Sequence, residues 1–160
     1  MHPKIKTIHG GEKMSIDEFE RDNGESFMLL KDGTHLIKVA GISYENRQEH
    51  IEKMTGEEEI ELKREKENEF DENAIAIYVT LENGKEKIGY IPADLAGKLA
   101  KIMDSGDELH IEFYCFTTQT YTHSDYKVSY RGLIVKLKEK IYEHKLFRLR
   151  ELFKGNANSQ

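Results

Sequence analysis

The chain has 160 residues, 38% of them hydrophobic and 34% charged, with a formal net charge of −6. That length suits one domain with room for an appended element, and the apolar runs recurring through its middle exclude wholesale disorder. A single cysteine, Cys115, excludes an internal disulfide framework, and with no signal-peptide pattern or bilayer-length apolar run the reading is a soluble intracellular protein, cytoplasmic, nucleoid-associated if bacterial.

Met1 to Asn23 is polar; Ser15, with Glu18 three residues on, is a capping pair that predicts a short helix. Residues 26–30 and Leu36–Val39 flank Asp32-Gly33 and read as a hairpin. Asn46 to Thr55 predicts a short helix ending at Gly56, with Ile51 and Met54 inward. Ile60 and Leu62 then alternate with Glu59, Glu61 and Lys63, as a half-exposed strand does, and Arg64 to Asn68 is a charged loop.

The centre of the chain is the stretch from Asn68 to Tyr90. Ala74, Ala76 and Tyr78 fall on one face of a strand and Ile75, Ile77 and Val79 on the other. Both faces are apolar, which predicts a strand covered on both sides. Asn83-Gly84 supplies the positive-φ pair of a tight turn, and the chain returns through Ile88 to Ile91. In the loop before this hairpin, Phe70 stands among Asn68, Glu69, Asp71 and Asn73. A large aromatic there is either an anchor folded onto the core or a platform held out for a ligand. Asp71 and Asn73 can also serve simply to satisfy the turn's own N–H groups.

Pro92 suits a first helical turn and Asp94 its positive end. Leu95, Leu99, Ile102 and Met103 recur at helical spacing until Ser105-Gly106 stops them. Leu109, Ile111, Phe113 and Cys115 then alternate with His110, Glu112, Tyr114 and Phe116, which makes Cys115 a buried strand residue and not a nucleophile. Thr117 to Asp125 reads as a polar turn and Lys127 to Leu137 as the last strand. Lys138 to Lys154 is a basic amphipathic helix with Ile141, Leu146, Leu149, Leu152 and Phe153 on one side. Its expected use is packing on its own domain or in a homodimer, with DNA contact as the alternative. Three parts follow: a polar extension over 1–25, a β-rich domain over 26–137, and the helix and tail over 138–160.

The charge is uneven. Arg131 to Lys154 holds eight Lys or Arg against three Glu, a local +5 that leaves −11 on the rest. No catalytic constellation stands out. The seven histidines, at positions 2, 9, 35, 50, 110, 123 and 144, lack ligand spacing and partner cysteines, so neither a metal nor another cofactor is expected. There is no Gly-rich phosphate loop, and an enzyme is not expected.

Three stretches together resemble the HIRAN domain family: Val39-Ala40-Gly41-Ile42-Ser43-Tyr44, the run from Asn68 through Phe70-Asp71-Glu72-Asn73-Ala74-Ile75, and Ile88-Gly89-Tyr90-Ile91-Pro92 with Leu95-Ala96. The resemblance spans about Ile37 to Phe116. It implies a mainly β, α+β fold: a small OB-like or SH3-like β-barrel with two short flanking helices, to which the C-terminal helix is added. It implies DNA binding and, as in members attached to Swi2/Snf2-type motors, capture of a free 3′-hydroxyl end of single-stranded DNA in repair or fork processing. A separate helicase or translocase would supply the motor. By the same resemblance Tyr44 and Phe70 would stack on terminal bases, Asp71 would accept a hydrogen bond from the 3′-hydroxyl, Asn68 would contact the last nucleotide, and Tyr90 would touch phosphate.

The departures from the family's pattern concern charge. Glu69 occupies a position commonly Pro, and Ser43 and Ala93 stand where DNA-binding relatives carry basic side chains. Losing such contacts lowers both affinity and its salt dependence. The competing expectation is a protein-interaction or regulatory domain that keeps the barrel without nucleic acid, and a buried Phe70 would favour it.

Overall fold

The apolar run at Ile75–Leu81 forms β4, flanked by β3 (Ile60–Arg64) and β5 (Gly84–Tyr90) in a three-stranded antiparallel sheet. Here, in a computed structural model describing residues 27–29 and 35–137, β4 lies between two partners with Ile75, Ala76, Ile77 and Val79 fully buried. The connecting turn sits one residue earlier than the Asn83-Gly84 signal predicts. Leu81 pairs with Gly84, Glu82 and Asn83 make the loop, and Gly84 takes the positive φ (+126°) without Asn83 doing so. A glycine just past a two-residue turn meets the conformational demand by itself.

The second sheet comprises β1 (Phe27–Leu29), β2 (His35–Lys38), β6 (Ile111–Thr122) and β7 (Lys127–Leu137), ordered β1-β2-β7-β6 and antiparallel throughout. Two expectations are corrected in β6. Most of the expected polar turn is strand, because Thr117 to Thr122 pair with Gly132 to Lys127, and only 123–126 turn. Its polarity reflects a ribbon running past the core, where alternating β-branched threonines favour the extended chain although little apolar surface is covered. Cys115 is half-buried, not buried. The register slips between Phe113 and Cys115, so Tyr114 is an extra residue in the ladder, and the inward face passes from Ile111 to Tyr114 and Thr117. A bulge of one residue reverses the alternation beyond it.

Two helices complete the described domain. α1 (Arg47–Glu52) is shorter than expected but buries Ile51, with Met54 just beyond it, and His50 Nδ1 donates to the Lys87 carbonyl (3.1 Å), tying it to β5. α2 (Ala93–Asp104) starts after Pro92, whose carbonyl accepts from the N–H groups of Leu95 and Ala96, and it buries Leu95, Ala96, Leu99, Ala100 and Ile102. These side chains join those of β2, β4 and β7 in one core.

The architecture is thus mainly β with two short helices and two antiparallel sheets, and the expected barrel is not closed. The sheets meet through a bridge at Ala40 and Tyr90, with Ala40 N–H donating to Tyr90 (2.8 Å) and Tyr90 N–H donating back (2.9 Å). Gly89 permits the approach: a Cβ there would lie 2.5 Å from the Ala40 carbonyl oxygen and closer still to Val39 Cγ1. The helix expected near Ser15, the Asp32-Gly33 turn and the basic helix over 138–154 lie outside the described residues. Among the described residues no helix is long and apolar enough to cross a membrane.

Candidate functional site

The loop from Glu65 to Ala74 is closed at its neck by Glu65 N–H donating to the Ala74 carbonyl (2.9 Å). Inside it, Asn68 Oδ1 accepts from the N–H groups of Phe70 (2.9 Å) and Asp71 (3.1 Å), and Asp71 Oδ1 accepts from Asn73 (2.8 Å). Arg64 secures the outside of the loop. Its Nη1 donates to the carbonyls of Glu72 and Ala74, and Nε and Nη2 form a two-point pair with the Asp104 carboxylate at 2.9 and 3.0 Å. That pair raises the Arg64 pKa and lowers that of Asp104. With its polar groups so engaged, the loop keeps Phe70 off the core: the residue is 94% exposed. The anchor reading of this aromatic is therefore set aside by the geometry.

Asn68 also reaches inward. Its Nδ2 donates to Glu65 Oε1 (3.0 Å), the atom that accepts the Tyr90 hydroxyl proton (2.7 Å). Lys87 Nζ completes the cluster, 2.7 Å from Glu65 Oε2 and 2.8 Å from the Tyr90 hydroxyl oxygen. Burial pushes the Glu65 pKa up, but the hydrogen bonds from Lys87, Tyr90 and Asn68 outweigh it and hold the carboxyl below its ordinary value. For Lys87 burial works downward and is likewise outweighed by Glu65 and Tyr90, leaving its pKa raised to about 12. The Tyr90 hydroxyl is thereby committed within the protein, and a cation stands beside it.

Arg47 also approaches Tyr90, its guanidinium 5.0 Å from the Tyr90 ring centroid and 5.9 Å from that of Tyr44. Arg47 Nη1 donates to the Gly41 carbonyl (2.6 Å), which rests on the left-handed backbone of Gly41 (φ +70°), and a Cβ on that glycine would meet Nη1 itself. Gln48 braces the same loop against β7: its side-chain amide donates to the carbonyls of Ile42 and Arg131 and accepts from Arg131 N–H. Tyr44 is left 67% exposed at the mouth of an open groove of about 550 Å³. The far wall of that groove is the β6–β7 ribbon, which contributes Gln119, Tyr121, His123 and Tyr130. Tyr121 and Tyr130 meet edge to face at 5.7 Å. Exposed rings, a carboxylate at a loop tip and cations beneath the rings make a surface suited to stacking on flat π systems. Among the described residues no group of three or more His, Cys, Asp or Glu is placed to hold a metal ion.

The sequence model of the HIRAN domain matches residues 32–131. The chain belongs to the HIRAN domain family. Membership makes it a nucleic-acid-binding module, with DNA as its partner in kind. Among solved structures the chain is similar to the HIRAN domain of human HLTF, at 21% identity over 74% of this chain and 87% of that one, with a TM-score of 0.43. It is also similar to a protein from Lactobacillus plantarum, at 21% identity over 65% of this chain and 92% of the other, with a TM-score of 0.42. No curated protein matches the chain.

The five residues picked from the HIRAN motifs form one connected strip. Tyr44 and Tyr90 share Arg47, Tyr90 and Asn68 share Glu65, and Asn68 holds the backbone of Phe70 and Asp71. Sequence reasoning missed the three charged residues that join them, Arg47, Glu65 and Lys87, and the tyrosines of the ribbon. Ser43 and Ala93 bring no charge, but Arg47 arrives from a helix start three residues past Tyr44, and Lys87 from the strand position directly before Ile88. A polar Glu45-Asn46-Arg47-Gln48 run carries no local mark of burial. The ribbon was legible in principle from the β-branched alternation of Thr118, Thr120 and Thr122.

Proposed function

We propose that this HIRAN domain is a non-enzymatic module that recognises single-stranded DNA, with preference for a free 3′-hydroxyl end. The observation that carries the reading is the display of Phe70 at the tip of a braced loop, with Asp71 beside it. Phe70 and Tyr44 stack on the terminal bases, each contact being worth roughly 1–3 kcal/mol whatever the base. Asp71 Oδ1 is engaged by the turn, so Oδ2 is the atom we assign to the terminal hydroxyl. A carboxylate there accepts a hydroxyl proton and repels a 3′-phosphate or a continuing strand. Asn68 sets the loop, and Tyr90 serves as a ring platform, its hydroxyl being engaged by Glu65 and Lys87. The display of Phe70 also weighs against the protein-interaction alternative, which a buried Phe70 would favour. In repair or fork processing, a separate helicase or translocase would act on the captured end, and residues 138–160 would serve packing or self-association.

Fluorescence anisotropy with short oligonucleotides ending in 3′-hydroxyl or 3′-phosphate, at two salt concentrations, tests this. The hydroxyl end should bind more tightly. Phe70→Ala should weaken both ends by about ten- to a hundredfold with an unchanged melting temperature. Asp71→Asn, which keeps an oxygen for the Asn73 N–H, should narrow the difference between ends. Equal and negligible binding to both ends by the unmodified chain would refute the reading.

A further inference from the structure

We infer that Arg47 is the phosphodiester site of this domain and that Glu45 occupies it as an internal stand-in for the strand's phosphate. The inference rests on the DNA-end reading above and adds a regulated contact to the same surface. The side chain of Arg47 is 7% exposed. Its Nη1 is used by the Gly41 carbonyl, its Nε is buried without a hydrogen-bond partner, and its Nη2 faces Glu45 Oε1 at 3.0 Å. A guanidinium so far out of water requires an anion, and the anion it has comes from a side chain that is 70% exposed.

Two further features distinguish this pair from the other enclosed cation near the strip. Glu65, the partner of Lys87, is itself shielded (19% exposed) and held in addition by Tyr90 and Asn68, so no incoming group can replace it without breaking the cluster. The Glu45 carboxylate has Arg47 as its ion-pair partner and water around the rest. Moreover, Glu45 has φ +52°, the one non-glycine residue with positive φ among the described residues. That left-handed conformation is disfavoured for a glutamate, and it sits between the displayed Tyr44 and the buried Arg47. Strain concentrated at one residue of a ligand surface is a recurrent mark of a switch.

Nη2 therefore points at a solvent-exposed carboxylate, one that can swing away. Tyr44 and Tyr90 flank the guanidinium, so a strand stacked on Tyr44 brings a backbone phosphate to the place Glu45 vacates. A phosphate oxygen reproduces the charge-assisted bond that Glu45 makes. The exchange replaces one anion with another, so it adds selectivity for a strand already held by stacking and discourages bare phosphate.

The test compares four forms of the full chain: unmodified, Glu45→Gln, Arg47→Gln/Glu45→Gln and Glu49→Gln. Glu49 is an exposed glutamate one turn away and controls for loss of one negative charge. Binding to a 3′-hydroxyl oligothymidylate is followed by anisotropy across a salt series. Glu45→Gln should tighten binding two- to fivefold, the equivalent of removing one exposed competing ion pair. It should also steepen the dependence of log K on log salt by up to about 0.7, one released counterion on a single strand. The double variant should lose both gains, and Glu49→Gln should show neither. Glu45→Asn, better suited to the left-handed backbone, should repeat the gain and serves if the glutamine variant is less stable. Inorganic phosphate should compete with the oligonucleotide no better against Glu45→Gln than potassium chloride of equal ionic strength; specific competition would reassign the site to the free anion and overturn the strand-bound role. Equal affinity and slope in Glu45→Gln and the unmodified chain, with the latter still preferring a 3′-hydroxyl, would overturn the stand-in while leaving the DNA-end reading intact. Equal gains in Glu45→Gln and Glu49→Gln would overturn it too, as general charge repulsion. Absence of binding in every form would remove both.

Discussion

Replacing Gly89 by alanine isolates what joins the two sheets. Gly89 has an ordinary backbone conformation, so the effect of a methyl group there is steric. The new Cβ would stand 2.5 Å from the Ala40 carbonyl oxygen, which is main chain and cannot rotate aside. Overpacking of this sort costs roughly 1–3 kcal/mol, and loosening the two hydrogen bonds between Ala40 and Tyr90 costs about 1 kcal/mol more. A total of roughly 2–4 kcal/mol is a large fraction of the 5–15 kcal/mol typical of a domain, and it should lower the melting temperature by about 10 °C or more. Gly97 in α2 is the counterpart: its Cβ would meet nothing nearer than Asn73 Nδ2 at 3.6 Å, ordinary contact. There alanine should stabilise by about 0.5–1 kcal/mol through backbone entropy. Urea unfolding of the two variants beside the parent gives both numbers, provided the slope with denaturant is unchanged. Gly89→Ala within 0.5 kcal/mol of the parent, on the scale where surface changes fall, would refute the reasoning.

Glu65 is held below its ordinary pKa, so its share of stability is complete above that ordinary value and is lost as pH falls through the lower folded one. The urea midpoints of the parent and Glu65→Gln should therefore differ near neutrality and converge below about pH 4; a constant gap down to pH 3 would contradict this. At the alkaline end the Lys87 contribution is complete below the usual lysine value and fades as pH rises through about 12. Arg64→Gln breaks the bidentate pair with Asp104 and two carbonyl contacts, and should cost about 1.5–3 kcal/mol while weakening DNA binding through the freed loop. Hydrogen exchange confined to residues 65–74 would register that loosening, and unchanged protection there would count against the brace.

The central hairpin could be read from the chain because its signals are local: an apolar run with both faces covered, then a turn bearing glycine. The same holds for α2, whose stripe from Leu95 to Ile102 repeats at helical spacing and is buried as expected. What local pattern cannot carry is the inserted Tyr114, since a bulge depends on how β6 lies against β7, and Cys115 is left half-buried as a result. The polar ribbon misled for a related reason, its strand character resting on cross-strand pairs such as Thr120 with Ser129. At the candidate site the motifs announced the rings and the carboxylate, which stand at or near the surface of loop and groove. Arg47, Glu65 and Lys87 are enclosed, and nothing in a run of charged residues tells which of them the fold will cover.

Tyr44 hangs from the segment leaving one sheet, four residues past Ala40, and Tyr90, which closes the last strand of the other, is itself half of the Ala40–Tyr90 bridge. The gap between these two rings is accordingly a gauge of the angle at which the two halves of the domain are clasped. A guest resting across both would act as a rivet, and a load pulling the halves apart would loosen its grip at the same moment.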